Sequence, residues 1–449
     1  MPNPALVASR VVTAFGMARI GRSSIQQTST LGTLRRLLAT ALVLLPALGH
    51  ATNGYFSHGY GMRAQGMGGV GYALPQDAFA TAYNPAGMAD VDNRLDLGVT
   101  WFIPRRSADI VGNAFGPDQR FDGDGRKNFF IPEVGYVRRL SPRLSAGLAL
   151  YGNGGLNTEF DDNPFARFGG SGEAGVNLEQ LFLTPSLSYR LSEHHAIGVA
   201  ANVAYQRFYA RGLGVFSGFS LAPDKVSNNG TDDSIGVGIR LGWLGTLAPG
   251  LTVGASWASK IDGRFDRYRG LFADGGGFDV PENYGAGIAW QGERWTVAAD
   301  VQRVLYSEVG SVGNPVAALF AGVPLGADNG PGFGWRDVTT YKLGFALRAT
   351  SRLTLRAGVS HLNQPIPEGE TFFNILAPGV VEDHLSLGVT WQLANGAELS
   401  GFFTHAFGKT VRGSNSIPAG FPPVGLGGGN ADIRLKETML GLSYAWRLR

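Results

Sequence analysis

Residues able to do bond-breaking chemistry are sparse in this chain. It has no Gly-x-Ser-x-Gly elbow, no histidines paired at metal-binding spacing and no phosphate-binding glycine loop. His58, His361, His384 and His405 are dispersed, which suits polar surface, lumen or girdle positions better than a ligand set. The stretch "FDGDGRKN" (121–128) begins like a calcium loop through Asp122 and Asp124. Arg126 and Lys127 then stand where oxygen ligands and a glycine are needed, so it reads as an ordinary turn. The expectation is a protein that is not an enzyme and carries neither cofactor nor metal. What remains is a set of charged residues inside otherwise apolar stretches, Arg240, Asp300, Lys342, Arg348 and Arg356, suited to salt bridging or to holding a carboxylate headgroup.

The elements that would position these residues are strands. Beyond residue 93 apolar residues recur with period two, as in Leu95/Leu97/Val99/Trp101/Ile103 and Leu385/Leu387/Val389/Trp391/Leu393. The pattern predicts fourteen strands, over 94–103, 128–138, 143–152, 178–191, 194–208, 234–243, 251–260, 282–291, 294–303, 339–349, 352–360, 383–393, 397–407 and 436–446. Many are about ten residues long, enough to cross an outer membrane when tilted. Short connections such as "SP", "SE" and "GE" alternate with long ones, the rhythm of a barrel with tight periplasmic turns and long outer loops. The 67 glycines in 449 residues, about twice the usual share, fit an all-β chain with many turns. The fold class expected is all-β, a 14-stranded antiparallel transmembrane β-barrel, closed because lipid cannot satisfy a sheet edge.

Strand phase assigns faces. Tyr136, Tyr189, Trp243, Trp290, Trp295, Trp391 and Trp446 are placed toward lipid near the periplasmic edge. Trp101, Tyr205, Trp257, Tyr284 and Tyr341 are placed toward lipid nearer the outside. These make two aromatic girdles. Phe102, Phe182, Phe208 and Phe402 face inward, where a water-filled porin would favour polar groups. They suit an apolar ligand or packing against a plug. The loops "YARGLGVFSGFSLAP" (209–223) and "NPVAALFAGVPLG" (314–326) are apolar for outer segments, a mark of binding or of burial in a loop cap.

Residues 1–51 read as an export signal, with Arg35-Arg36 before "LLATALVLLPAL" and small residues at Gly49 and Ala51. Loss of its five arginines would turn the formal net charge of +3 into −2, which removes any reason to invoke nucleic acid. Residues 52–93 are glycine-rich and weakly patterned, and fit either a compact plug in a barrel lumen or a periplasmic tail. They end in Asn84-Pro85-Ala86-Gly87. One copy of this motif, with no internal apolar run long enough to span as a helix, excludes its use in helical water channels.

The leader "GMGGVGYALPQDAFATAYNPAGM" and the stretch "WRDVTTYKLGFALRATSRLTLRAGVSHLNQPIPEG" (335–369), followed by "DHLSLGVTW", resemble the FadL family of outer-membrane transporters for long-chain fatty acids and hydrocarbons. The resemblance covers essentially the whole chain after residue 51. It implies a Gram-negative outer-membrane location, with residues 52–93 as an N-terminal hatch holding Asn84, Pro85, Ala86 and Gly87, and 94–449 as the barrel. It implies passive transport of hydrophobic small molecules, most readily long-chain fatty acids, with aromatic or aliphatic hydrocarbons as the alternative cargo, by a monomer in outer-membrane lipid. A surface-binding or structural role is the other reading. Ligand would be caught at the outer loops and leave sideways through a gap at a kinked strand, for which "LYGNGG" (150–155), at the outer end of the third strand, is the glycine-rich choice. Ligand-binding residues expected are Phe102, Phe182, Phe208, Phe402, Arg240, Lys342 and Arg356. The chain departs from the family pattern by running past Trp446 to Arg447-Leu448-Arg449, which leaves Trp446 as the aromatic anchor.

Overall fold

The computed structural model describes residues 52–421 and 425–448, so the expected signal at 1–51 lies outside the described residues. Fourteen strands run in chain order around one sheet. They are β1 (Arg94–Val111), β2 (Phe129–Arg139), β3 (Leu144–Phe160), β4 (Ala174–Arg190), β5 (His195–Arg211), β6 (Asp232–Ala248) and β7 (Leu251–Ala258). The second half is β8 (Asn283–Gln291), β9 (Trp295–Val304), β10 (Val338–Arg348), β11 (Leu353–Leu362), β12 (Asp383–Gln392), β13 (Glu398–Val411) and β14 (Asn430–Arg447). Each pairs antiparallel with its sequence neighbours, and β14 pairs back on β1 from Arg447 opposite Arg94 to Asn430 opposite Val111. The cylinder is therefore closed, as lipid requires.

Several strands outrun their predicted ends. β1 continues to Val111, β3 to Phe160 and β5 to Arg211, all on the long-loop side. A short strand, Gln119–Asp122, folds back onto Ser107–Ile110 of β1 there. Above the lipid band, loops cover the outer face, so both faces pack and the alternation that marks a half-buried strand fades.

The lipid face follows the predicted phase. Tyr136, Tyr189, Trp243, Trp290, Trp295, Trp391 and Trp446 are all exposed, as are Trp101, Tyr284 and Tyr341. Trp257 is half-buried and donates its indole N–H to Glu282. Tyr205 is only 3 % exposed, paired across the ladder with the equally buried Leu181, and does not join the outer girdle.

The apolar core lies within the cylinder and under its cap. Tyr55, Phe56, Tyr60, Phe79 and Tyr83 of the N-terminal segment share one cluster with Tyr151, Phe182 and Phe208 of the wall and with Phe265, Phe272, Trp335 and Phe372 of the outer loops. Residues 52–93 touch inward-facing residues around the cylinder, from Asp96 of β1 to Gly441 of β14, so the segment lies inside it. It holds only short pieces of structure, among them helical turns at Met62–Gln65 and Ala80–Tyr83 and a 3-10 turn at Pro85–Asp90.

Glycine makes this close fit possible. Gly66, Met67 and Gly68 lie directly on Gly344, Gly358 and Gly388 of β10, β11 and β12, where any side chain would collide with backbone. Asn84 and Pro85 lie in the same way on Gly198 of β5 and Gly242 of β6, which are register partners. Gly68 and Gly69 also hold φ of 73° and 77°, values that side chains resist.

Candidate functional site

The motif at Asn84 is a turn pinned to the wall. Asn84 is extended (φ −143°, ψ 101°), and its side-chain oxygen accepts from the Ala86 amide at 3.1 Å, capping the 3-10 turn that Pro85 opens. Its amide nitrogen donates to the Tyr72 carbonyl at 2.9 Å and to the Trp243 carbonyl of β6 at 2.8 Å.

The inward charges converge on the same segment. Lys342 donates to the carbonyls of His58 and Gly69 at 3.1 and 3.2 Å and to Gln302 at 3.2 Å. Asp300 accepts from the amides of Gly71 and Tyr72 at 2.6 and 3.1 Å. Arg240 reaches the Tyr83 carbonyl at 3.2 Å, and Arg356 donates to Gln76 at 3.2 Å and to Thr390 at 2.7 Å. Arg348 contacts none of these and lines a cavity at the tight-turn end. Arg240, Lys342 and Arg356 thus bond backbone or side-chain groups of the lumenal segment, and they lie on different sides of it.

The inward phenylalanines are dispersed as well. Phe402 packs with Met62 against Gly441. Phe182 lies 5.8 Å from Tyr151, whose ring packs at a tilt against Tyr60, 4.6 Å between centroids. Phe102 lies 6.0 Å from Phe129, next to a cavity of about 30 Å³ bounded by Gly155, Leu156 and Gly379. Phe208 alone enters the loop cap, 4.8 Å from Phe272 and 4.9 Å from Tyr268.

There it lines an apolar cavity with Phe216, Phe272, Leu325, Phe333 and Phe373. The two apolar loops meet at this place. Leu221 and Leu325 exchange backbone contacts, with Leu221 N to Leu325 O at 3.0 Å and Leu325 N to Phe219 O at 2.8 Å. Ser311 is the one hydroxyl in the lining, and it is spent on the Gly277 carbonyl; no charged side chain faces the space. At about 40 Å³ the cavity is far below the roughly 300 Å³ at which ligand pockets begin. Segment Phe373–Gly379 separates it from the cavity at Phe102, lining both.

Beyond that segment the wall is breached. β2 pairs with β3 only from Val134 opposite Leu150 to Arg139 opposite Ser145. Above this, β2 keeps only its β1 partners, while β3 continues with β4 through a register shift between Gly152 and Gly154. The turned strand bonds inward instead. Phe56 pairs with Gly154, Gly155 N donates to the Tyr55 carbonyl at 3.0 Å, and Asn153 accepts from the Tyr60 hydroxyl at 2.8 Å. The glycines of "LYGNGG" are thus the bend, but mid-strand, since β3 runs on to Phe160.

Pattern reading passes over several residues that hold this region. The Tyr306 hydroxyl donates to the Asn53 carbonyl at 2.6 Å and accepts from the amides of Tyr55 and Phe56, and burial pushes its phenol far above the usual range, so it stays a neutral donor and acceptor. Trp335 packs at a tilt on Tyr55 and edge-on to Tyr306, and donates to Asn374 at 2.6 Å. Both sit in long loops, where period-two patterning carries no information. In the turn at 121–128, Asp124 accepts from the Arg106 amide at 2.7 Å and pairs with Arg105. Among the described residues no three His, Asp or Glu side chains are grouped to hold a metal ion.

Residues 46–420 match the model of a family described as outer membrane protein transport protein (OMPP1/FadL/TodX). The chain belongs to this family. A FadL/TodX protein is a Gram-negative outer-membrane β-barrel of a family of transport channels, which sets the tight turns in the periplasm and the long loops outside. A long-chain fatty acid transport protein of Salmonella typhi is 28% identical over 177 residues, 38% of this chain and 38% of that one. Among solved structures, a Pseudomonas aeruginosa FadL homologue superposes with a TM-score of 0.68 at 17% identity, covering 88% of this chain and 100% of that one. The P. putida toluene transporter TodX gives 0.62 at 17% identity, covering 87% and 99%. The fold of this FadL/TodX protein is theirs.

Proposed function

We propose that this protein carries hydrophobic small molecules across the outer leaflet by a route that begins in an uncharged cavity: capture at the apolar loops, passage past Phe373–Gly379, and sideways exit through the breach between β2 and β3. The breach carries this reading, because a wall with unpaired backbone between two neighbouring strands is otherwise costly in lipid. Transfer of apolar surface from water into successive dry sites supplies the driving force, and no energy source enters. Residues 52–93 act as the hatch that denies the cargo a path straight down the lumen.

Long-chain fatty acids remain the first cargo to test, following the relative in Salmonella typhi. The charge-free lining of the loop cavity supports a neutral hydrocarbon as the second reading, since nothing there would recognise a carboxylate. Uptake of labelled oleate and labelled toluene should be compared in cells with and without the gene. Equal uptake of both cargoes in both strains would sink the transport reading; loss of one alone would assign the cargo.

A further inference from the structure

A third cavity, which shares no lining residue with the two on the apolar route, opens among the tight turns at the periplasmic mouth. Its volume is about 560 Å³, within the range of sites that hold small molecules. Six arginines line it, Arg63 from the lumenal segment and Arg294, Arg348, Arg352, Arg356 and Arg447 from β9, β10, β11, β14 and their turns, against two glutamates.

The charges do not cancel. Buried Glu398 is shared by Arg63, Arg94 and Arg447, the last two at 3.0 and 2.9 Å. Among the described residues Arg294, Arg348 and Arg352 form no ion pair, and the buried Arg356 has only the neutral partners Gln76 and Thr390. Glu293, exposed on its turn, is the one remaining acid. Four guanidiniums without an internal carboxylate thus face one concave space, a shape that concentrates counter-ions.

The strand phase says what kind of anion fits. Trp295, Phe345, Leu355 and Trp446 turn to lipid, so Arg294, Arg348, Arg356 and Arg447, at positions of the opposite phase, turn into the lumen. A membrane lipid headgroup would meet the opposite face. We propose that the periplasmic cavity is a binding site for a small multivalent oxyanion, a polyphosphate or polycarboxylate, held by Arg294, Arg348, Arg352 and Arg356 through the fork geometry of guanidinium on oxyanion. Because Arg63 and Gln76 of the lumenal segment also line the space, the bound anion braces that segment from below.

Calorimetric titration of the purified detergent-solubilised barrel, at fixed ionic strength, tests this with pyrophosphate and citrate against acetate and chloride. One-to-one saturable binding is expected for pyrophosphate, citrate or both, which identifies the oxyanion class, and acetate should bind about tenfold or more weakly. The double variant Arg348→Gln, Arg352→Gln, at exposed positions away from the segment's own bonds, should weaken binding by about tenfold or more. Arg294→Gln serves if the double variant loses the compact migration of a folded barrel. Binding unchanged in whichever variant folds, or no saturable binding of either multivalent anion, overturns the proposal. So does a cavity that takes up only a long acidic peptide.

Discussion

The side-chain amide of Asn84 donates to the main-chain carbonyl of Trp243 at 2.8 Å, a bond from the lumenal segment into the barrel wall itself. With its other two bonds it fixes the end of the segment as a turn, and the glycines beneath leave no room for the turn to slide.

Asn84→Ala should therefore loosen residues 80–91 by on the order of 3 kcal/mol, the scale of several buried polar bonds left unmade. Hydrogen exchange should accelerate there and stay unchanged in β10 to β12. Unaltered exchange at 80–91 would mean that Asn84 is idle. Gly242→Val should be worse than Asn84→Ala, because it forces the turn off the wall.

Lys342 and Asp300 hold the opposite side, at Gly69 and Gly71. Lys342→Met should release residues 58–72 to exchange and leave the affinity for oleate within about twofold, whereas a headgroup role would cost about tenfold or more. The parallel comparison for Arg356→Ala separates the two roles in the same way.

His58 supplies a pH dependence. Burial, its stacking partner His384 at 4.7 Å and the nearby Lys342 ammonium hold His58 well below the usual 6.5, with Ser360 and Ser386 the polar groups beside it. Its pKa is depressed on folding, so the docked state pays nothing above pH 6.5 and loses stability as pH falls below it. Protection of residues 52–72 should decline from pH 7 to about pH 5 in the wild type and decline less in His58→Gln. A parallel decline in both would assign the effect elsewhere.

Asn153 is the added residue of the β3 bend, between register pairs at Gly152 and Gly154. Deleting it should let β3 continue its ladder with β2 and seal the breach, abolishing uptake while the barrel still folds and loop binding persists. Undiminished uptake by the deletion variant would remove lateral exit from consideration.

The parts of this fold legible in the sequence are those that a local rule encodes. Period two on a lipid-facing surface marks all fourteen strands and turns Trp391 outward and Phe402 inward. Phase gives a face, however, and neither a height nor an azimuth, so the four inward phenylalanines fall at separate places. Asn84-Pro85 can be read as a turn, but Trp243 lies far along the chain, and nothing local announces that Gly198 and Gly242 form its floor. The bend at Gly152–Gly155 is visible as glycine, yet its position on the strand is misread because packing under the loops hides where β3 ends.

Glu398 of β13 accepts from Arg63 of the lumenal segment, from Arg94 of β1 and from Arg447 of β14. One carboxylate thus clasps the first strand, the last strand and the segment that precedes them both. The backbone ladder from Arg447 opposite Arg94 to Asn430 opposite Val111 closes the seam, and this carboxylate ties its periplasmic end to the segment, so a single charge holds two junctions that the chain makes hundreds of residues apart.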